Sequence, residues 1–246
     1  MRNIKLTLEY DGTHFFGFQT QKKYRTVQSE LESALKKLIQ KKIKVIASGR
    51  TDSGVHAEGQ VVNFHVHSKL ELPKIQLGLN HYLPEDLAVT EIKEVPPSFH
   101  SQYSAKWKIY EYRVFNSRHR SPLERFRSFY FPFPLDLRKM KQGAQILSGK
   151  HDFRVYESSG GRRKSAVRTI RKFEVRKEGK IICFTVEANG FLYKMVRSMV
   201  GTLLQLGSGK LKLADFKEVL ESKIRNFVGP TAPPQGLTLK SVIDSF

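Results

Sequence analysis

Ala47-Ser48-Gly49-Arg50-Thr51-Asp52-Ser53-Gly54-Val55-His56-Ala57 joins two stretches that read as short strands, at about 43–48 and 59–67. Two glycines flank a small polar run holding one acid and one base, with neither helical nor strand spacing of apolar residues. A loop of this kind, supported by sheet on both sides, can set Asp52 at the floor of a cleft. The residue types alone leave a second reading open, an ordinary glycine-rich turn in which Asp52 only caps backbone amides.

Working outward, Ile4, Leu6, Leu8 and Tyr10 share one face of a first strand that ends at Asp11-Gly12. Val27, Leu31, Ala34, Leu35, Leu38 and Ile39 recur at helical steps opposite a lysine-rich face. Leu72-Pro73 opens a short helix, and 87–95 reads as a strand before Pro96-Pro97. The second half starts with a strand at about 106–115 that sets Tyr110, Tyr112 and Val114 on one face. A helix near 136–148 follows, then a hairpin of strands near 166–176 and 180–188 turning at Glu178-Gly179. Helices at about 191–206 and 213–222 come last. Each half mixes helices with antiparallel-type strands, so an α+β fold in two domains, 1–104 and 105–246, is expected.

Charge separates the halves more sharply than pattern does. The 246 residues carry a net charge of +20. Residues 1–100 hold 14 basic and 11 acidic side chains, and residues 101–246 hold 29 and 12. Such an excess points to a polyanionic partner, nucleic acid first and an anionic membrane surface second. With 39% apolar and 27% charged residues the chain has the composition of a folded domain. The single cysteine, Cys183, allows no internal disulfide and fits a reducing compartment; its apolar strand suggests a buried small residue. No apolar run reaches membrane-spanning length, and the start of the chain has strand grammar rather than a signal peptide, so a cytoplasmic location is expected.

The Gly49–Ala57 run resembles the catalytic loop of the tRNA pseudouridine synthase A (TruA) family, G-R-T-D-x-G-V-H-A, and matches it completely. Further pieces agree in order: Tyr10-Asp11-Gly12, Phe16-Gly17-Phe18-Gln19, Thr26-Val27-Gln28, Gly59-Gln60-Val61-Val62, Leu83-Pro84-Glu85-Asp86 and Phe99-His100. Lys108-Ile109-Tyr110-Glu111-Tyr112, Gly190-Phe191-Leu192, Met195-Val196-Arg197, Thr231-Ala232-Pro233 and Gly236-Leu237 continue it, so the resemblance spans essentially the whole chain. Phe18 departs from the family's usual Trp, and Thr238 from its common Tyr.

The resemblance implies the pseudouridine synthase fold: two ferredoxin-like α/β halves with mainly antiparallel sheets flanking a basic active-site cleft. It implies isomerisation of uridine to pseudouridine at positions 38, 39 and 40 in the anticodon arm of tRNA, by a homodimer, with no cofactor and no metal. Asp52 would be the catalytic nucleophile, acting on base or sugar or assisting glycosidic cleavage. To attack it must be ionised, and a guanidinium favours the anion. Arg197 matches the arginine that pairs with the aspartate; a phosphate contact is its alternative. Tyr110 would stack on the target uracil, against the alternative of a core aromatic. Arg50 would guide the everted base inward, against that of a surface ion pair.

Glycoside hydrolases typically need two carboxylates, and Glu58, the other acid nearby, reads as ordinary surface. His65 and His67 share a strand face but lack a third ligand, so a metal pair is not expected. Segments 106–127 and 162–180 are strongly basic and suit an extended phosphate track. Gly160-Gly161 beside Arg162-Arg163 reads as a mobile basic loop that could close on RNA.

Overall fold

The computed structural model describes residues 1–159, 165–222 and 228–245. The Gly160–Arg163 loop therefore lies outside the described residues. The chain divides into two units, Met1–Lys106 with Thr238–Phe246, and Trp107–Leu237.

In the first unit, β1 (Arg2–Tyr10), α1 (Val27–Ile39), β2 (Ile46–Ala47), β3 (His56–Val66), α2 (Leu72–Tyr82), β4 (Leu87–Val95) and the single-turn α3 (Ser101–Ser104) follow one another. β1 lies between β4 and β3, antiparallel to both. The alternation from Ile4 to Tyr10 buries those four side chains on one face of the strand. α1 contributes Val27, Leu31, Ala34 and Leu35, and α2 contributes Ile75 and Leu79. Thr26 and Ser29 cap α1 reciprocally, each side-chain oxygen accepting the other's backbone N–H.

The outer edge of β3 is shared, which corrects one expectation. The strand read at 43–48 shrinks to Ile46 and Ala47, paired with Asn63 and Val62. The other end of that edge is taken by β10 (Leu237–Asp244), parallel to β3 with Thr238 opposite His56 and Leu239 opposite Ala57. Gly59 permits the approach: a Cβ there would stand 2.5 Å from the Lys240 carbonyl oxygen. Lys240 and Glu58 form an ion pair across the two strands, and Glu58 is exposed, in keeping with its reading as surface. A division at 104/105 assigns residues 238–246 to the C-terminal half; β10 instead returns to the first unit.

The second unit contains most of β5 (Ala105–Asn116), then β6 (Phe129–Phe131), α4 (Leu137–Leu147), β7 (Gly149–Asp152), β8 (Val167–Glu178), β9 (Ile181–Ala188), α5 (Met195–Gly207) and α6 (Leu213–Ser222). β9 lies between β5 and β8, antiparallel to both, and β7 extends the sheet beyond β8. Gly179 takes φ 58° at the β8–β9 turn. Tyr112 and Val114 are buried on β5, on the face expected for them.

α5 is the core of this unit: of its 13 residues only Gln205 is not buried. It starts at Met195 rather than 191 because Lys194 adopts a left-handed conformation, φ 60°, which an α-helix does not accept. Cys183 is half-buried, opposite Arg113 and Arg176, where full burial was expected. The fold class is α+β with mostly antiparallel sheet, as the pattern of elements indicated.

Candidate active site

The loop from Ser48 to Val55 is fastened at its base, its middle and its far end. At the base, Ser48 N–H donates to Val61 O at 2.9 Å, Ser48 Oγ contacts Gln60 Oε1 at 2.8 Å, and Gln60 Nε2 donates to Gly49 O at 3.0 Å. In the middle, the buried Thr51 hydroxyl lies 2.8 Å from the Tyr10 hydroxyl at the end of β1. Burial pushes the Tyr10 phenol up to about 12, so it stays protonated. At the far end, Val55 N–H donates to Asp52 O at 3.2 Å, closing a turn in which Gly54 takes φ 77°. His56 Nδ1, buried at the start of β3, accepts from Gly12 N–H at 3.0 Å and lies 3.1 Å from Asp11 Oδ1.

Segment 12–18 straps this loop. Phe18 N–H donates to Thr51 O at 3.1 Å, and Gly54 N–H donates to Phe15 O at 3.2 Å. The backbones touch: Gly17 has φ 85°, and a Cβ on it would stand 2.8 Å from Thr51 O and 3.3 Å from Asp52 C. A Cβ at Gly12 would meet Val55 O at 2.1 Å. Only glycine allows either approach. The strap is anchored in turn by Arg25, whose carbonyl accepts from Phe16 N–H at 2.9 Å. Its guanidinium lies 4.2 Å from the Phe15 ring and makes two 2.7 Å hydrogen bonds to Asp86. On this scaffold Asp52 is half-buried and Arg50 exposed, two residues apart on one loop.

The other two expected site residues lie in the second unit. Tyr110 is 9% exposed on β5, and its ring meets Phe191 edge-on at 5.1 Å. Arg197 is likewise buried, in the first turn of α5. Its Nε donates to Ala232 O at 2.7 Å, and Ala232 N–H donates back to Arg197 O at 3.1 Å. The Nε bond orients the guanidinium fork, and the backbone bond ties the Ala232 segment to α5. The 229–232 segment reaches α5 because Gly201 lacks a side chain: a Cβ there would lie 1.8 Å from Pro230 O. Beside it, the Tyr112 hydroxyl donates to Pro233 O at 2.7 Å, and burial holds that phenol well above its ordinary range.

A family model described as tRNA pseudouridine synthase matches residues 7–104 and 144–243. The chain belongs to the tRNA pseudouridine synthase family. It is 43% identical over 242 residues to the tRNA pseudouridine synthase A of Acetivibrio thermocellus, covering 98% of this chain and 99% of that protein. The tRNA pseudouridine synthase A of Thermoanaerobacter sp. is 42% identical over 243 residues, with 99% and 100% covered. Among solved structures, one titled "Crystal Structure of a Cbf5-Nop10-Gar1 Complex" aligns with 92% of this chain and 60% of that chain, at 13% identity and a TM-score of 0.37.

As a pseudouridine synthase, an isomerase, the chain has contacts that sequence reasoning did not single out: Tyr10–Thr51 and Ser48–Gln60 around the motif and, within the second unit, the Tyr112 anchor on Pro233. Tyr10 carried a signal, as the polar end of an otherwise aliphatic strand face. Phe18 is buried. Thr238 is buried on β10 beside His56.

Part of the synthase's basic excess is spent internally. Glu174 is paired at 2.9 Å with both Lys172 and Arg176, which together hold its carboxyl below the usual range. Arg171 pairs with Glu187 and lies over the Trp107 ring. Arg118 and Arg120 are exposed. Among the described residues no helix is long and apolar enough to cross a membrane, and no three His, Cys, Asp or Glu side chains converge as metal ligands.

Proposed function

We propose that this synthase isomerises uridine to pseudouridine at positions 38, 39 and 40 in the anticodon arm of tRNA, with Asp52 as its nucleophile. One observation carries the reading: the complete Gly49–Ala57 motif forms a loop clamped through backbone and buried hydroxyls, on which Asp52 keeps contact with solvent. The reaction breaks the N1–C1′ bond of the nucleotide and joins C5 to C1′. The proton leaving C5 is balanced by one gained at N1, so nothing is oxidised or reduced. A clamped carboxylate suits such chemistry because its position is set before the substrate arrives.

Arg50, exposed two residues before Asp52, guides the everted base. Tyr110 presents its ring, held edge-on by Phe191, to the uracil. Arg197 orients the Asp52 carboxylate with the fork that Ala232 holds. The basic residues of the 106–127 segment track phosphates. The active species is a cytoplasmic homodimer, a reading that rests on the family resemblance and on the single cysteine.

Tritium release from tRNA labelled at uridine C5 tests the proposal. Wild-type protein should release label and create pseudouridine at 38–40, and Asp52→Asn should release none. An undiminished rate in the amide variant, or label lost only from other positions, would overturn it. Sedimentation of the purified protein at twice the chain mass checks the dimer.

A further inference from the structure

Phe16 and Tyr24 are stacked, with ring centroids 4.4 Å apart and planes 28° from parallel. Neither is packed away: Phe16 is 49% exposed and Tyr24 50%. A single exposed aromatic is unremarkable on a protein surface. Two that pair with each other in water, on a turn whose backbone is fixed, form a preset flat surface. The turn is closed by Phe16 N–H donating to Arg25 O, by Gln21 Nε2 donating to Phe16 O at 2.8 Å, and by a bridge between Gln21 and Tyr24. Lys22 and Lys23, both exposed, occupy its tip.

Its place relative to the loop matters most. Phe16 sits between Phe15, whose carbonyl accepts from Gly54, and Gly17, whose backbone lies against Thr51 and Asp52. Phe16 thus belongs to the strap itself, next to Gly17, whose backbone lies against the proposed nucleophile. Flat aromatic faces beside lysines are what unpaired nucleotides use, bases stacking on rings while phosphates meet ammonium groups.

We propose that Phe16 and Tyr24 form a stacking platform for an unpaired nucleotide of the RNA substrate flanking the everted uridine, with Lys22 and Lys23 meeting its phosphates. This rests on the RNA-isomerase reading above. The platform grips RNA without touching the reacting atoms, so its loss falls on KM and Kd rather than on kcat.

The test uses the full-length protein and an anticodon stem–loop RNA labelled at uridine C5. Phe16→Ala and Tyr24→Ala should each raise KM and Kd by about 5- to 100-fold. Phe16→Leu, apolar but without a π-face, should behave like the alanine variant, whereas Phe16→Trp and Tyr24→Trp should bind near wild type. The introduced indole should also be quenched when RNA is added. Because both side chains are half in solvent, thermal midpoints should not move. Wild-type protein that releases no tritium would defeat the isomerase reading itself. An active wild type with unchanged KM in the alanine and leucine variants would defeat the platform alone. So would variants that lose kcat at constant KM, or that alter sedimentation without altering RNA affinity.

Discussion

The Tyr10 hydroxyl lies 2.8 Å from the hydroxyl of Thr51, the residue immediately before Asp52, and both side chains are buried. The end of β1 thereby supports the loop that carries Asp52. Tyr10→Phe leaves a buried hydroxyl without this partner, at a cost of about 1–3 kcal/mol. Urea denaturation should show that loss, and tritium release should slow as the loop loosens.

The same phenol gives a pH signature. Its folded-state value is pushed to about 12 while an unfolded tyrosine titrates near 10.0. Above pH 10 the unfolded chain gives up a proton that the folded chain keeps, so stability must fall as pH rises from 10 towards 12. Stability curves from pH 8 to 12 should decline less steeply for Tyr10→Phe than for wild type, by roughly 2–3 kcal/mol across the window.

Gly17→Ala should be more damaging than its size suggests. The new Cβ would stand 2.8 Å from Thr51 O on a residue with φ 85°, so strain and collision add. An expected loss of about 2–4 kcal/mol should appear as a lower thermal midpoint. Gly179→Ala is the control: its φ is also positive, yet nothing lies within 4 Å of the added methyl.

Arg197→Lys keeps the charge and removes the planar fork and the Nε donor to Ala232. Turnover should fall at least about tenfold with a changed pH profile, since a charge-assisted hydrogen bond of about 1.5–3 kcal/mol is lost. A lysine variant with wild-type turnover and pH profile would remove Arg197 from its proposed role.

RNA affinity should fall with salt at a log–log slope of about 0.7–0.9 per neutralised phosphate. Filter binding over a salt series should find the slope reduced more by Arg118→Gln or Arg120→Gln than by Lys172→Gln or Arg176→Gln. The latter pair already face Glu174.

Local physics was legible in the sequence. The alternation of β1, the helical spacing of α1 and the glycine turn between β8 and β9 are each fixed by residues within a few positions of one another. Asp52 stands out as a candidate because its motif is contiguous. What escaped depends on distant partners or on single dihedrals. β10 pairs with β3 through two residue pairs some 180 positions away. The four residues before α5 look helical by periodicity, and only the left-handed Lys194 excludes them. β6 and β7, at 3 and 4 residues, are too short to show a period.

The placement of β10 bears on how the protein is made. Asp52 leaves the ribosome early, but the strand that completes the edge of its sheet is translated almost two hundred codons later. The nascent N-terminal half must therefore wait, its β3 edge open, while the whole intervening unit is synthesised. Premature termination anywhere between residues 58 and 236 would release a polypeptide that contains every letter of the Gly49–Ala57 motif and lacks a finished frame to hold it.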